Sequence, residues 1–67
     1  MSLAEKFSRN LRSARLTRKL SQEALAQKAG LSTSFISMLE CEQRSPPLET
    51  LEQLAKALRV EPVSLLA

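Results

Sequence analysis

Histidine, aspartate, tyrosine and tryptophan are absent from this chain, and glycine and cysteine occur once each, as Gly30 and Cys41. Without His, and with one Cys, the common routes to general acid–base catalysis, nucleophilic triads and transition-metal binding are closed. The seven Glu gather at no spacing that suggests a working carboxylate pair. A glycine-rich loop that cradles phosphate cannot be built from a single glycine. The chain is therefore expected not to be an enzyme and to need no metal or cofactor. A lone cysteine excludes an internal disulfide and fits a reducing compartment. No stretch approaches the roughly 20 apolar residues of a membrane span, and no signal-peptide pattern is visible. The expectation is a soluble, cytoplasmic protein with no membrane contact.

What is present is short, basic and helical in pattern. The 67 residues suffice for one domain, read here as 1–67. Such a chain buries only about 60% of the surface its unfolded form exposes, which leaves no room for both a core and a deep substrate cavity. Its charge is unevenly spread. Residues 1–31 carry seven Lys or Arg against Glu5 and Glu23, whereas residues 32–67 carry three against five Glu, so the halves are +5 and −2. This asymmetry suits one surface that meets a polyanion, although an ordinary solvated helix face would look the same on charge alone.

Apolar spacing indicates helix nearly throughout. Leu3, Phe7, Leu11 and Ala14 mark a first helix over about residues 2–16. Ser21 is a good N-cap for a second helix buried through Leu25, Ala26 and Ala29, with Glu23 at its positive end. Gly30 stops that helix, since it takes the left-handed conformation without a Cβ penalty. Ser32 opens a third helix through about Glu40, with Phe35, Ile36 and Leu39 inward and Thr33, Ser34, Ser37 and Met38 outward. Pro46-Pro47 marks a loop. A fourth helix over about 48–58 turns Leu48, Leu51, Leu54, Ala55 and Leu58 inward. Glu61-Pro62 starts a last short helix carrying Val63, Leu65 and Leu66. The expected fold is all-α, a compact bundle of five helices.

Two short helices joined by a tight glycine turn form the physical core of a helix-turn-helix. The window QEALAQKAGLSTSFISMLEC supplies it within about residues 21–41: small Ala26 permits close approach, Gly30 makes the turn, and Leu25, Leu31, Ile36 and Leu39 set the crossing. Through LRSARLTRKLSQEALAQKAGLSTSFISMLE, RSPPLETLEQLAKALRV and the terminal SLL, the chain resembles the lambda/434 repressor and Cro family, the XRE-type helix-turn-helix regulators. The resemblance runs from about Leu11 to Leu66. It implies a lambda-repressor-like domain that binds double-stranded DNA at a palindromic operator as a homodimer, with the third helix in the major groove.

The resemblance also implies roles for particular residues. Ser32, Thr33, Ser34, Ser37 and Met38 would face base edges or adjacent phosphates, though Met38 could instead pack sideways against the fold. Arg12, Gln22, Gln43 and Arg44 would hold phosphates. Arg15 and Glu40 would form a partly buried, structural salt bridge. Cys41 reads as a small filler.

Several positions depart from the family pattern. Cys41-Glu42-Gln43 replaces a frequent glycine and basic residues, Pro47 stands in place of a capping Ser or Thr, and Arg59 in place of a frequent glycine. The third helix offers no Arg, Lys, Gln or Asn, so the bidentate readers of guanine and adenine are missing. Specificity would then come from hydroxyls, methyl contacts, water bridges and DNA shape. Val63, Leu65 and Leu66 are expected either to form the dimer interface or to cap the protomer's own core. A regulator of repressor or controller type fits all these features. An antitoxin-like or other protein-partner-binding module on the same fold is the alternative, which the acidic second half leaves open.

Overall fold

Each helix begins and ends where local chemistry permits. In the computed structural model, which describes residues 1–67, α1 spans Leu3–Thr17, α2 Gln22–Ala29, α3 Thr33–Glu40 and α4 Leu48–Leu58, followed by a 3-10 turn at Pro62–Leu65. A capping box opens α1: the Ser2 hydroxyl accepts from the Glu5 N–H, and the Glu5 carboxylate accepts from the Ser2 N–H, both at 3.1 Å. These contacts satisfy donors that the first helical turn leaves without partners. Ser21 and Ser32 cap α2 and α3 in the same manner, accepting from Ala24 and Phe35 at 3.0 and 3.1 Å. Only α4 lacks a side-chain cap, because Pro47 occupies its N-cap.

Gly30 closes α2 at φ 72°, and Leu31 then donates to the Ala26 carbonyl at 2.8 Å. Three other residues adopt the left-handed conformation without being glycine: Lys19 after α1, Glu42 after α3 and Arg59 after α4. All four helices thus end in a left-handed residue at or just past the C-terminus.

The core is formed where the four helices and the terminal turn meet. Leu11, Leu25, Ile36, Leu39, Leu54, Leu58 and Leu65 are fully buried in it, and Ala26 and Ala55 let α2 and α4 pack closely. Leu48, expected inside, is 79% exposed, and Leu3, which begins the apolar spacing of α1, is 61% exposed. Each is the first residue of its helix, where the helix overhangs the core. Together with Ala4, Phe7, Pro46, Leu51 and Leu66 they border an apolar groove.

The expected fifth α-helix is instead a single 3-10 turn. It is four residues long, and its bonds close at i→i+3, from Ser64 to the Glu61 carbonyl at 2.9 Å and from Leu66 to that of Val63 at 3.0 Å. Four residues cannot complete a stable α-helical ladder, and this tighter winding is the usual outcome. Asn10 fastens the turn to α1 by donating to the carbonyls of Leu65 and Ala67 at 3.2 and 3.1 Å. No helix is long and apolar enough to cross a membrane.

Candidate nucleic-acid interface

The geometry of the α2–α3 pair follows from its turn. Gly30 reverses the chain within a few residues, and Leu25, Ala26, Ile36 and Leu39 are buried between the two helices and the remainder of the core. Burial of Ile36 and Leu39 leaves the opposite face of α3 in solvent. Thr33 and Ser34 are exposed in its first turn, and Ser37 and Met38 are half-buried in its second. Ser32 is exposed too, but its hydroxyl oxygen already accepts from Phe35, so its O–H is the free donor. A helix has unpaired N–H groups and positive potential at its N-terminus. The leading end of α3 therefore presents hydroxyls, N–H groups and no acidic side chain.

Behind α3 lies a buried polar network. Arg15 meets Glu40 through two parallel bonds, Nε to Oε2 at 2.6 Å and Nη2 to Oε1 at 3.1 Å. Its Nη1 donates to the Leu20 carbonyl at 2.8 Å. The bond to Glu40 raises the guanidinium pKa further above its ordinary value, against a smaller opposing effect of burial. Bidentate pairs of this kind fix orientation as well as adding energy. Here the pair ties α1 to α3.

Gln22, at the start of α2, joins the same network by donating Nε2 to Glu40 Oε1 at 3.1 Å. A primary amide has two N–H donors, so one remains for an acceptor such as a phosphate oxygen. No local signal marks this bond, which spans 18 residues and joins a residue assigned to phosphate with one assigned to structure.

The segment after α3 carries Gln43 and Arg44, both exposed. The Arg44 guanidinium carbon lies over the Phe35 ring, 5.7 Å from its centroid. Phe35, expected inside, is half-buried: it packs against the core and has the Arg44 guanidinium over its ring. Arg12 is exposed on the outer face of α1, beside Arg9, Ser13, Leu16 and Thr17 around a shallow hollow.

The three residues considered for a dimer interface separate. Val63 is 70% exposed and Leu66 half-buried, but Leu65 is only 1% exposed and belongs to the protomer's own core. The tight winding of the 3-10 turn directs Leu65 inward while Val63 faces out, so Leu65 is unavailable to a second copy.

The profile of the HTH_3 family, described as helix-turn-helix, matches residues 11–65. The control protein C.SmaI of Serratia marcescens is 41% identical over 66 residues, covering 98% of this chain and 79% of that one. The crystal structure of the restriction-modification controller protein C.AhdI from Aeromonas hydrophila superposes with a TM-score of 0.89 at 40% identity, covering 92% of this chain and 94% of that one. The controller C.Esp1396I, crystallised as a tetramer with its natural 35 base-pair operator, superposes with a TM-score of 0.88 at 32% identity. That match covers 97% of this chain and 86% of the other.

Proposed function

The chain belongs to the HTH_3 helix-turn-helix family, and from that premise we propose that it is a DNA-binding transcriptional regulator of the controller type. It acts on double-stranded operator DNA as a homodimer and is not an enzyme. The observation that carries this reading is the exposed leading turn of α3. It bears Thr33 and Ser34, follows α2 through the Gly30 turn, and belongs to a helix tied to α2 by Gln22–Glu40 and to α1 by Arg15–Glu40.

In this reading α3 enters the major groove N-terminus first. Ser32, Thr33, Ser34 and Ser37 meet base edges or flanking phosphates, and Met38 offers a methyl contact. Gln22 gives its free amide N–H to a phosphate at the N-terminus of α2, with Arg12, Gln43 and Arg44 on the backbone around it. A second copy docks through Val63 and Leu66, so that two third helices reach half-sites about 34 Å apart. Residues 1–67 form one DNA-binding unit, and its place of action is with the DNA, in the cytoplasm.

Selection of bound sequences from random duplex DNA, near physiological salt, tests this directly. The expected result is an enriched palindrome with half-sites about one helical turn apart. Retention without enrichment would reduce the activity to sequence-independent electrostatics. No retention at all would sink the DNA reading.

A further inference from the structure

We propose that Phe35 is a positioning residue for DNA binding: its ring holds the Arg44 guanidinium beside the leading turn of α3, where Arg44 meets a phosphate. The proposal rests on the reading that α3 enters the groove. Arg44 follows the end of α3 at Glu40, and a chain that simply ran on would carry it away from the entering end. The chain turns back instead. Glu42 takes the left-handed conformation at φ 62°, and the Gln43 N–H donates to the Met38 carbonyl at 2.9 Å.

The guanidinium thereby comes to rest on the ring of the third residue of the helix. Helical side chains lean toward the N-terminus of their helix. The ring, and the cation beside it, are thus displaced along the axis toward the first turn of α3, where Thr33 and Ser34 are exposed.

The chemistry of the stack suits a phosphate contact. A ring face attracts a guanidinium through its quadrupole without accepting a conventional hydrogen bond from it. The five N–H donors around the edge stay free, and Arg44 spends none of them on a hydrogen bond or salt bridge within the protein. A flexible arginine is thus parked in one place with its donor edge open, which lowers the ordering cost of binding. The arrangement also supplies from the following segment the basic group that the surface of α3 lacks.

The test measures affinity of the full chain for a mixed-sequence duplex long enough for two half-sites, between about 50 and 200 mM salt. Wild type, Phe35→Leu, Phe35→Tyr, Arg44→Ala and the Phe35→Leu/Arg44→Ala double variant are compared after circular dichroism has established folding. Phe35→Met replaces Phe35→Leu should the latter not fold. Phe35→Leu is expected to weaken binding about two- to fivefold, the range of an exposed cation–π contact, while Phe35→Tyr retains wild-type affinity. In the Arg44→Ala background Phe35→Leu is expected to have no further effect. In the free protein, the Arg44 Hδ resonances are expected upfield, shifted by the ring current.

An equal loss from Phe35→Leu with and without Arg44 would mean that the ring acts through the fold alone and would overturn the proposal. So would wild-type affinity in Phe35→Leu, or unshifted Arg44 resonances. If wild type itself binds no duplex at low salt, the DNA reading and this inference fall together. If wild type binds and only the coupling is missing, the inference alone is lost.

Discussion

Glu40 accepts from two nitrogens of Arg15 and one of Gln22, and its side chain is 4% exposed. Removing one member of such a pair leaves a charge with little water and few partners. Glu40→Ala is therefore expected to cost about 3–5 kcal/mol, read from the urea midpoint. A cost under about 1 kcal/mol would mean that the network is solvated and the pair is no brace. At the other end of α3, Thr33 and Ser34 are exposed, and their replacement by Ala is expected to leave stability nearly unchanged while altering the preferred DNA sequence. An unchanged preference in both variants would remove the first turn of α3 from the groove. The kinds of residue on this site were legible in the sequence because caps, turns and apolar spacing are local. The Gln22–Glu40 bond and the Arg44–Phe35 stack were not. Each depends on where a loop delivers a side chain, and no periodicity encodes that.

At the scale of the elements, the helix ends decide much of the local stability. Gly30 sits at φ 72° with nothing within 4 Å of the place a Cβ would occupy. Gly30→Ala thus meets no clash, and its expected cost, about 1–2 kcal/mol, is the left-handed conformation itself. Arg59 is already in that conformation, at φ 57°, with an exposed side chain that makes no hydrogen bond. Arg59→Gly is expected to stabilise by roughly 0.5–1 kcal/mol, raising Tm by a few degrees. A lower Tm would show that the arginine side chain contributes more than its backbone costs.

The start of α1 has its own pH dependence. The Ser2 N–H and hydroxyl hold the Glu5 carboxyl below its ordinary pKa. A lowered folded-state pKa means that this cap stabilises above the unfolded carboxylate range and is lost as pH falls through the folded value. An NMR titration of Glu5 with its midpoint at the ordinary carboxylate value would contradict the capping box. Periodicity placed the four α-helices, yet it turned Leu48 inward, because it identifies a face without saying whether the core extends beneath it. The last element was misread for a related reason. An apolar stretch preceded by Glu-Pro suits an α-helix or a 3-10 turn, and only its length separates them.

For the molecule as a whole, the proposed dimer needs some apolar residues for the protomer's own core and others left free for a second copy. The terminal turn divides its apolar residues accordingly, and two substitutions test the division. Leu65 is in the core, so Leu65→Ala is expected to cost about 2–5 kcal/mol whatever the protein concentration. Val63 is 70% exposed and outside the core, so Val63→Glu is expected to leave the folded protomer intact. In the proposed dimer it is expected to change assembly: a carboxylate at a two-fold interface is buried twice and faces its own copy across the axis. Sedimentation equilibrium of Val63→Glu should then shift from dimer toward monomer, and operator binding should lose the gain that comes from tethering two half-site contacts. Thermal stability should also lose its dependence on protein concentration, since association stabilises the folded state by mass action. If Val63→Glu remains dimeric and binds the operator as wild type does, Val63 lies outside the interface, and the exposed apolar groove around Leu3 and Leu48 becomes the surface that must join the two copies.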